Sequence, residues 1–244
     1  MQAGAVRIED LAARFGISVM TVHRDLDELE GRGLLRKSRG VATALSSALV
    51  ESSDVYRASR QLSEKESIAR AALEFIEPGQ AIMLDDSTTT LQLLPHLQTK
   101  KPLTVITNTL TIMEELRAAN GITLLGLGGQ YYNWCSAYMG RITTTTIANL
   151  RADLLVMSTS AISDDVAFHQ TQETVDVKRA MFESSNRRIL LADHTKFEQR
   201  ALHAMVPLAE FDAVIVDAAT DQSHVNRLRD KGVNVVVARK ASRH

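Results

Sequence analysis

This 244-residue sequence has a single cysteine and almost no net charge. Because Cys135 is the single cysteine, the sequence excludes an intrachain disulfide and a cysteine-based zinc site. The formal net charge of −1 gives no overall attraction to nucleic acid, so any contact with DNA has to come from a local basic patch. No apolar run approaches transmembrane length and no signal-peptide pattern opens the sequence, so we expect a cytoplasmic protein without a membrane partner.

Metal-ligand spacing is also absent among the histidines, and we expect neither a metal site nor a cofactor. Hydrophobic residues make up 45% and charged residues 23% of the sequence, which is ordinary for a globular protein. The length allows one large domain or a small domain followed by a medium one. The pattern along the chain favours the second: a DNA-binding domain over residues 1–42, a serine-rich linker over residues 43–63, and an effector-sensing domain over residues 64–244.

The segment "RIEDLAARFGISVMTVHRDLDELEG" predicts two short helices around a tight break. Gly16 is expected to end the first helix and Ser18 to cap the second, which buries Val22, Leu26 and Leu29 on one face. This is the helix-turn-helix arrangement, whose second helix enters the major groove of DNA. The side chains expected to face the base edges lie near the start of that helix and are Ser18, Thr21, His23 and Arg24.

Basic residues follow this segment in "LLRKSRGVA". A short apolar step with a basic tip beside Gly40 is typical of a β-wing that contacts DNA phosphates, which confer affinity without sequence information. The residues predicted for these contacts are Arg36, Lys37 and Arg39. The pattern alone also fits a helical hairpin with a solvated basic turn.

Beyond residue 64, seven short apolar runs alternate with mostly helical patterns. The runs are "AIML", "LTVIT", "ITLLGL", "DLLVMS", "RILLAD", "AVIVD" and "VNVVVA". Near-continuous apolar strands that alternate with amphipathic helices predict an α/β fold with a mostly parallel sheet covered by helices on both faces. Ligands in such sheets bind beyond the carboxyl ends of the strands, so a site is expected there.

The residues after these runs predict a pocket for an anion. "DDSTTT" offers hydroxyls and backbone N–H groups at the expected start of a helix, and Lys196 supplies a cation. In this prediction Asp85 accepts hydrogen bonds from sugar hydroxyls, whereas Asp86 points away toward solvent or a loop. The pocket residues expected from position alone are Asp85, Ser87, Thr88, Thr89, Thr90, Asn108, Gly129 and Lys196. Taken alone, the hydroxyl-rich turn also fits a simple helix cap.

Six segments in order resemble the DeoR family of bacterial transcription repressors over nearly the whole chain. They are "VRIEDLAARFGISVMTVHRDLDELEGRGLLRK", "DDSTTT", "LTVITN", "LGGQYY", "ETVDVKRAMFESS" and "LLADHTKF". The resemblance implies an N-terminal winged helix-turn-helix and a C-terminal domain of the ribose-phosphate isomerase/CoA-transferase-like class that binds a phosphorylated sugar or related metabolite. It adds Glu173 and Lys178 to the predicted pocket and implies a homo-oligomer.

The sequence departs from the family in its winged domain. The family normally has a helix before "VRIEDLAARF", and only five residues precede that segment here, so we expect an N-terminally truncated domain without its first helix. The wing reads "SRGVA" where the family usually has His-Gly-Gly. Ser160 and Val166 also replace the small or glycine residues more usual in the family, close to a loop at Asp164 and Asp165.

The leading hypothesis is a regulator rather than an enzyme: a repressor that binds double-stranded operator DNA of a sugar or carbohydrate metabolism operon under the control of a phosphorylated sugar. Two alternatives stay open. A sugar-phosphate isomerase needs a general base, for which Asp85, Asp86 and Glu173 are candidates, with Lys178 or Lys196 as a stabilising cation. A metabolite-binding oligomer without DNA function is the second alternative, favoured by the missing helix.

Overall fold

Two compact units, residues 1–50 and residues 51–244, divide the chain. The structure is a computed structural model that describes residues 5–31, 35–44 and 54–239. The linker predicted over residues 43–63 falls partly outside these ranges, at residues 45–53. Its described part carries the end of a strand and a short helix, and the predicted domain boundaries stay predictions.

The first unit contains two helices and a three-stranded antiparallel sheet. Its elements are β1 (Ala5–Arg7), α1 (Ile8–Phe15), α2 (Val19–Gly31), β2 (Leu35–Ser38) and β3 (Val41–Ala44). The strand order is β1-β3-β2, so the hairpin β2–β3 is the predicted wing. β1 was not predicted, and no helix precedes α1 within the described residues. Residues 1–4 lie outside the described part of the chain.

The turn between α1 and α2 forms as the sequence predicts. Gly16 ends α1 in the left-handed region at φ 66°, where a side chain would be strained. The hydroxyl of Ser18 accepts a hydrogen bond from the Thr21 N–H at 3.1 Å, which caps α2. A small core lies beneath the two helices and consists of Ile8, Ala12, Val22, Leu26, Leu35 and Ala42.

All seven apolar runs form strands of one parallel sheet in the second unit, which confirms the predicted fold class. In chain order the strands of this sheet are β4 (Ala81–Leu84), β5 (Leu103–Thr107), β6 (Ile122–Gly126), β9 (Ala152–Ser158), β12 (Ser185–Ala192), β14 (Ala213–Val216) and β15 (Val235–Val237). The strand order is β15-β14-β12-β9-β4-β5-β6, and every neighbouring pair is parallel.

Two helices of this unit precede β4 in the chain, and the remaining strands and helices lie between the strands of the large sheet. A hairpin is formed by β7 (Gln130–Tyr132) and β8 (Ala137–Met139), and a small antiparallel sheet by β10 (Ala161–Ser163), β11 (Val166–His169) and β13 (His203–Pro207). The helices are α3 (Asp54–Ser59), α4 (Leu62–Ala72), α5 (Leu94–Leu97), α6 (Leu110–Leu116), α7 (Arg141–Ala148), α8 (Gln172–Glu183) and α9 (Gln222–Asp230). None of the helices in the described ranges is both long and apolar enough to cross a membrane.

Helices cover both faces of the large sheet. Side chains alternate between faces along a strand, so on β4 Met83 packs into one core with Met181 of α8, whereas Ile82 and Leu84 pack into a second core with Ile68 of α4. All five of these side chains are fully buried. The doubly covered sheet leaves the carboxyl ends of its strands as the place for a site.

Candidate functional site

Asp85, the first residue after β4, is fully buried, and the protein itself satisfies its carboxylate. Oδ1 accepts hydrogen bonds from Ser87 Oγ at 2.7 Å and Thr90 Oγ1 at 3.0 Å. Oδ2 accepts from the Ser158 N–H at 2.9 Å and from Lys178 Nζ. Burial raises the pKa of Asp85, but the ammonium of Lys178 and these hydrogen bonds outweigh burial and hold that pKa below its ordinary value. Both carboxylate oxygens are therefore occupied by protein donors, in contrast to the role as a sugar-hydroxyl acceptor that we predicted.

The predicted orientation of Asp86 is wrong. This residue is only 7% exposed, and its carboxylate lies 3.3 Å from Lys178 Nζ. Lys178 therefore faces two buried carboxylates with one ammonium.

Lys178 reaches this group from α8. The hydroxyl of Thr171 accepts a hydrogen bond from the Thr174 N–H at 3.3 Å and caps the helix. Lys178 lies between Val175 and Met181 on the buried face, which explains why its cation is only 1% exposed. Glu173 is exposed in the first turn of the same helix, so the structure does not bring it to Lys178.

The hydroxyl loop differs from a simple helix cap. Ser87 and Thr90 are hydrogen-bonded to each other at 3.0 Å and to Asp85, so they hold the shape of the loop. The expected helix begins instead as a 3-10 turn at Thr90–Leu93, followed by the four residues of α5. Among the described residues, the structure gives no hydrogen-bond partner to the backbone N–H groups of Thr88 and Thr89. Both N–H groups are therefore open donors of the loop.

Lys65 on α4 is a site residue that the sequence reasoning missed. Its side chain is buried, and Nζ donates a hydrogen bond to Thr88 Oγ1 at 3.0 Å and another to the backbone carbonyl of Arg57. The available signal was its spacing, because Lys65 shares the buried face of α4 with Ile68 and Ala72. A lysine on an apolar helix face needs a buried partner.

Lys196 follows β12 and is half-buried, with Nζ 4.0 Å from Asp193 Oδ2. The charges of Lys196 and Asp193 act on Lys65, whose ammonium contacts Thr88. Next to Lys196, His194 is held by Asp217: the carboxylate accepts from the His194 N–H at 2.6 Å and lies 3.1 Å from its Nδ1. His194 is therefore held by Asp217, the first residue after β14.

Asn108 and Gly129 lie after neighbouring strands of the sheet. Asn108 is fully buried; its amide donates to the carbonyl of Tyr138 at 2.9 Å, and its Oδ1 has no hydrogen-bond partner in the described part of the chain. A buried unsatisfied oxygen is costly and indicates a missing donor. Gly129 has φ 154°, and a Cβ there would lie 2.1 Å from Thr143 Oγ1, so only glycine fits.

The predicted DNA-contacting residues lie in the first unit in two groups. His23 and Arg24 are exposed near the start of α2, and Arg24 Nε lies 3.6 Å from Asp25. Ser18 and Thr21 share a hydrogen bond of 2.9 Å between their hydroxyls, so they also serve the cap.

In the wing, Arg39 lies exposed at the tip with φ 49°, where it faces solvent. Lys37 pairs with Asp27 of α2, and its N–H donates to Glu30 Oε1 at 2.7 Å. Its ammonium therefore helps to hold the wing against α2. Arg36 lies in β2, but its side chain falls outside the described residues.

Comparison with known proteins gives two family matches that together span most of the chain. A model of the DeoR-like helix-turn-helix domain matches residues 1–48, and a model of the DeoR C terminal sensor domain matches residues 60–218. The chain is 32% identical to the transcriptional repressor AccR of Agrobacterium fabrum over 212 residues, which cover 86% of this chain and 82% of that protein. It is 30% identical to the glycerol-3-phosphate regulon repressor of Escherichia coli K12 over 235 residues, which cover 96% and 93%.

Among solved structures, the chain is similar to ribose 5-phosphate isomerase A from Methanocaldococcus jannaschii, with 12% identity and a TM-score of 0.40. The match covers 55% of this chain and 53% of that chain. The two matched domains follow each other in the order that the sequence motifs predicted. The chain belongs to the DeoR family of transcriptional regulators.

Proposed function

We propose that this regulator represses a carbohydrate-metabolism operon by binding its operator DNA, and that a phosphorylated sugar or related metabolite controls that binding. The observation that carries the proposal is the pairing of a helix-turn-helix unit with a sensor unit whose strand ends gather open anion donors. The glycerol-3-phosphate regulon repressor, at 30% identity over nearly its whole length, supports the ligand class.

In this proposal the phosphate binds at the open N–H groups of Thr88 and Thr89, with Lys196 as its cation. Backbone N–H groups and a lysine ammonium are the donors that phosphate groups take in proteins. The sugar part then lies toward Asn108, whose buried Oδ1 accepts a hydrogen bond from a sugar hydroxyl. Gly129 permits close approach of the chain beside it.

Asp85 and Lys178 hold the site together. The loop that carries Thr88 is fixed to the end of β9 because the Asp85 carboxylate joins Ser87 and Thr90 to Ser158 and Lys178. Such a rigid loop keeps the open N–H groups in position before the ligand arrives, which lowers the entropy cost of binding.

The isomerase alternative has less support in this geometry. A general base for proton transfer between carbons needs access to the substrate C–H. The oxygens of Asp85 are occupied by protein donors, Asp86 is buried beside Lys178, and Glu173 points to solvent in the first turn of α8. We also propose a homo-oligomer, because helix-turn-helix dimers match two operator half-sites.

Thermal denaturation of the full chain with and without ligand tests the sensor site. Glucose 6-phosphate, glycerol 3-phosphate and inorganic phosphate are the probes, and glucose and glycerol are the matched controls without phosphate. A ligand at one hundred times its Kd adds roughly 2.7 kcal/mol to the unfolding free energy, so we expect the phosphorylated probes to raise the Tm by several degrees. Lys196→Met should remove most of that rise.

Equal effects of phosphorylated and unphosphorylated probes would contradict a phosphate-binding site. Arg70→Met, at an exposed position of α4, is the matched loss of a cation and should respond to the probes like the wild type.

A further inference from the structure

Lys65 joins two parts of the sensor unit through one buried ammonium. Its Nζ donates to Thr88 Oγ1 at 3.0 Å in the loop after β4 and to the backbone carbonyl of Arg57 in α3. The residue is 4% exposed, so water does not compete for these bonds. The side chain of Lys65 therefore connects Thr88 directly to α3, so a movement of Thr88 can act on that helix.

α3 depends on such attachments. It spans only six residues, Asp54–Ser59, and a helix of that length is not stable without tertiary contacts. One attachment lies at its start, where the Asp54 N–H donates to the carbonyl of Trp134 at 3.0 Å. Lys65 provides another near its end, at a carbonyl that also accepts from the Arg60 N–H at 3.3 Å.

Protein groups compensate the ammonium of Lys65 poorly. Its two hydrogen-bond acceptors are uncharged oxygens. Burial and the positive charges of Lys196 and Arg57 lower the pKa of Lys65 from 10.5 to about 8. The negative charge of Asp193 acts in the opposite direction but is outweighed. A negative charge next to Thr88 would supply the compensation that this lysine lacks.

We propose that Lys65 is a second phosphate-binding cation of the effector site and couples phosphate binding at the Thr88 loop to the order of α3. This inference rests on the proposed function. A lysine ammonium has three donors, so it can contact the phosphate and keep both present acceptors. The charge-assisted bond fixes the ammonium, and the fixed ammonium holds the Arg57 carbonyl and the end of α3 in place. α3 is the first described helix after the DNA-binding unit in the chain, so its order links the ligand to the segment that leads there.

Hydrogen exchange of the full-length protein, measured by mass spectrometry, tests the coupling. The probes are glucose 6-phosphate, glycerol 3-phosphate and inorganic phosphate, each at a concentration at which calorimetry shows binding. In the wild type we expect bound phosphate to slow exchange in residues 54–59 by about fivefold or more, together with slower exchange in the loop at residues 85–90. In Lys65→Met the affinity should fall, and at saturating ligand the slower exchange in residues 54–59 should disappear while the loop is still protected.

Arg70→Met controls for loss of a positive charge on α4, because Arg70 is exposed and pairs with Glu66; it should keep the wild-type response. If a probe binds and protects the loop while exchange in residues 54–59 is unchanged, the coupling is refuted and the proposed phosphate site stands. If no probe binds, both are refuted. The wild-type comparison can refute the coupling even if Lys65→Met does not fold.

Discussion

One ion pair in each unit of this protein shows two opposite environments for charged side chains. Arg24 and Asp25 of the first unit form an ion pair at 3.6 Å whose side chains are 80% and 54% exposed. Lys178 and Asp86 of the second unit lie at a similar distance, 3.3 Å, with side chains 2% and 6% exposed. An exposed pair contributes little to stability, whereas a buried charge is costly to leave without its partner. We infer that the first unit keeps Arg24 available for a partner in solution and that the second unit uses Lys178 to fix a loop.

Removing a buried cation should have the largest effect. Lys178→Met leaves the carboxylates of Asp85 and Asp86 buried without their ammonium, which we expect to cost about 3–5 kcal/mol of unfolding free energy in urea denaturation. Arg24→Ala removes a cation from the exposed pair and should change that free energy by less than about 1 kcal/mol. Equal costs for the two substitutions would show that burial does not distinguish the two units.

A dependence on pH is expected to follow from Asp85. Because its pKa is lower in the folded protein than in the unfolded chain, ionised Asp85 stabilises the fold above the unfolded pKa of about 3.9, and this contribution is lost as the pH falls toward the folded pKa. We therefore expect Asp85→Asn to lower the unfolding free energy by about 2–3 kcal/mol at pH 7.

That deficit should shrink below about pH 4, because the wild type then loses the same contribution. Urea denaturation of both proteins from pH 2 to pH 7 measures the difference. A deficit of the same size at every pH would mean that ionised Asp85 does not stabilise the fold.

The exposed charges should matter for DNA instead. Arg24→Ala is expected to weaken specific operator binding by about 1–3 kcal/mol, more than it weakens binding to unrelated DNA, because Arg24 lies near the start of the helix expected to face the base edges. Arg39→Ala, at the tip of the wing, should weaken binding to all sequences alike and lower the salt dependence by about one unit of slope. Titrations by fluorescence anisotropy at several salt concentrations separate the two patterns. If both variants lost affinity equally for every sequence, the division between base and phosphate contacts would be wrong.

Much of the fold and part of the site could be predicted from the sequence. All seven apolar runs became strands, and Gly16 and Ser18 mark the turn of the helix-turn-helix, because these signals are local. The positions of Asp85, Asn108 and Lys196 after strands follow from the parallel sheet. Sequence position could not show which donors fill a carboxylate, because Lys178 meets Asp85 from 93 residues away.

The errors have the same origin. Asp86 was expected to point away toward solvent or a loop, but a cation on another element draws it inward. Lys65 was missed because its partners, Thr88 and the carbonyl of Arg57, come from two other segments. Both contacts depend on how separate elements pack against each other, and the periodicity of a sequence does not show this.

The central claim is that a phosphorylated sugar bound to the second unit controls DNA binding by the first. The most direct measurement is the affinity of the full-length protein for an operator selected from random-sequence DNA, with and without saturating glucose 6-phosphate or glycerol 3-phosphate. We predict a change of about 5–150-fold with at least one of these phosphates, little change with the unphosphorylated sugar or alcohol, and a much smaller change in Lys196→Met. An operator affinity that stays the same while calorimetry shows the phosphate bound would contradict the account.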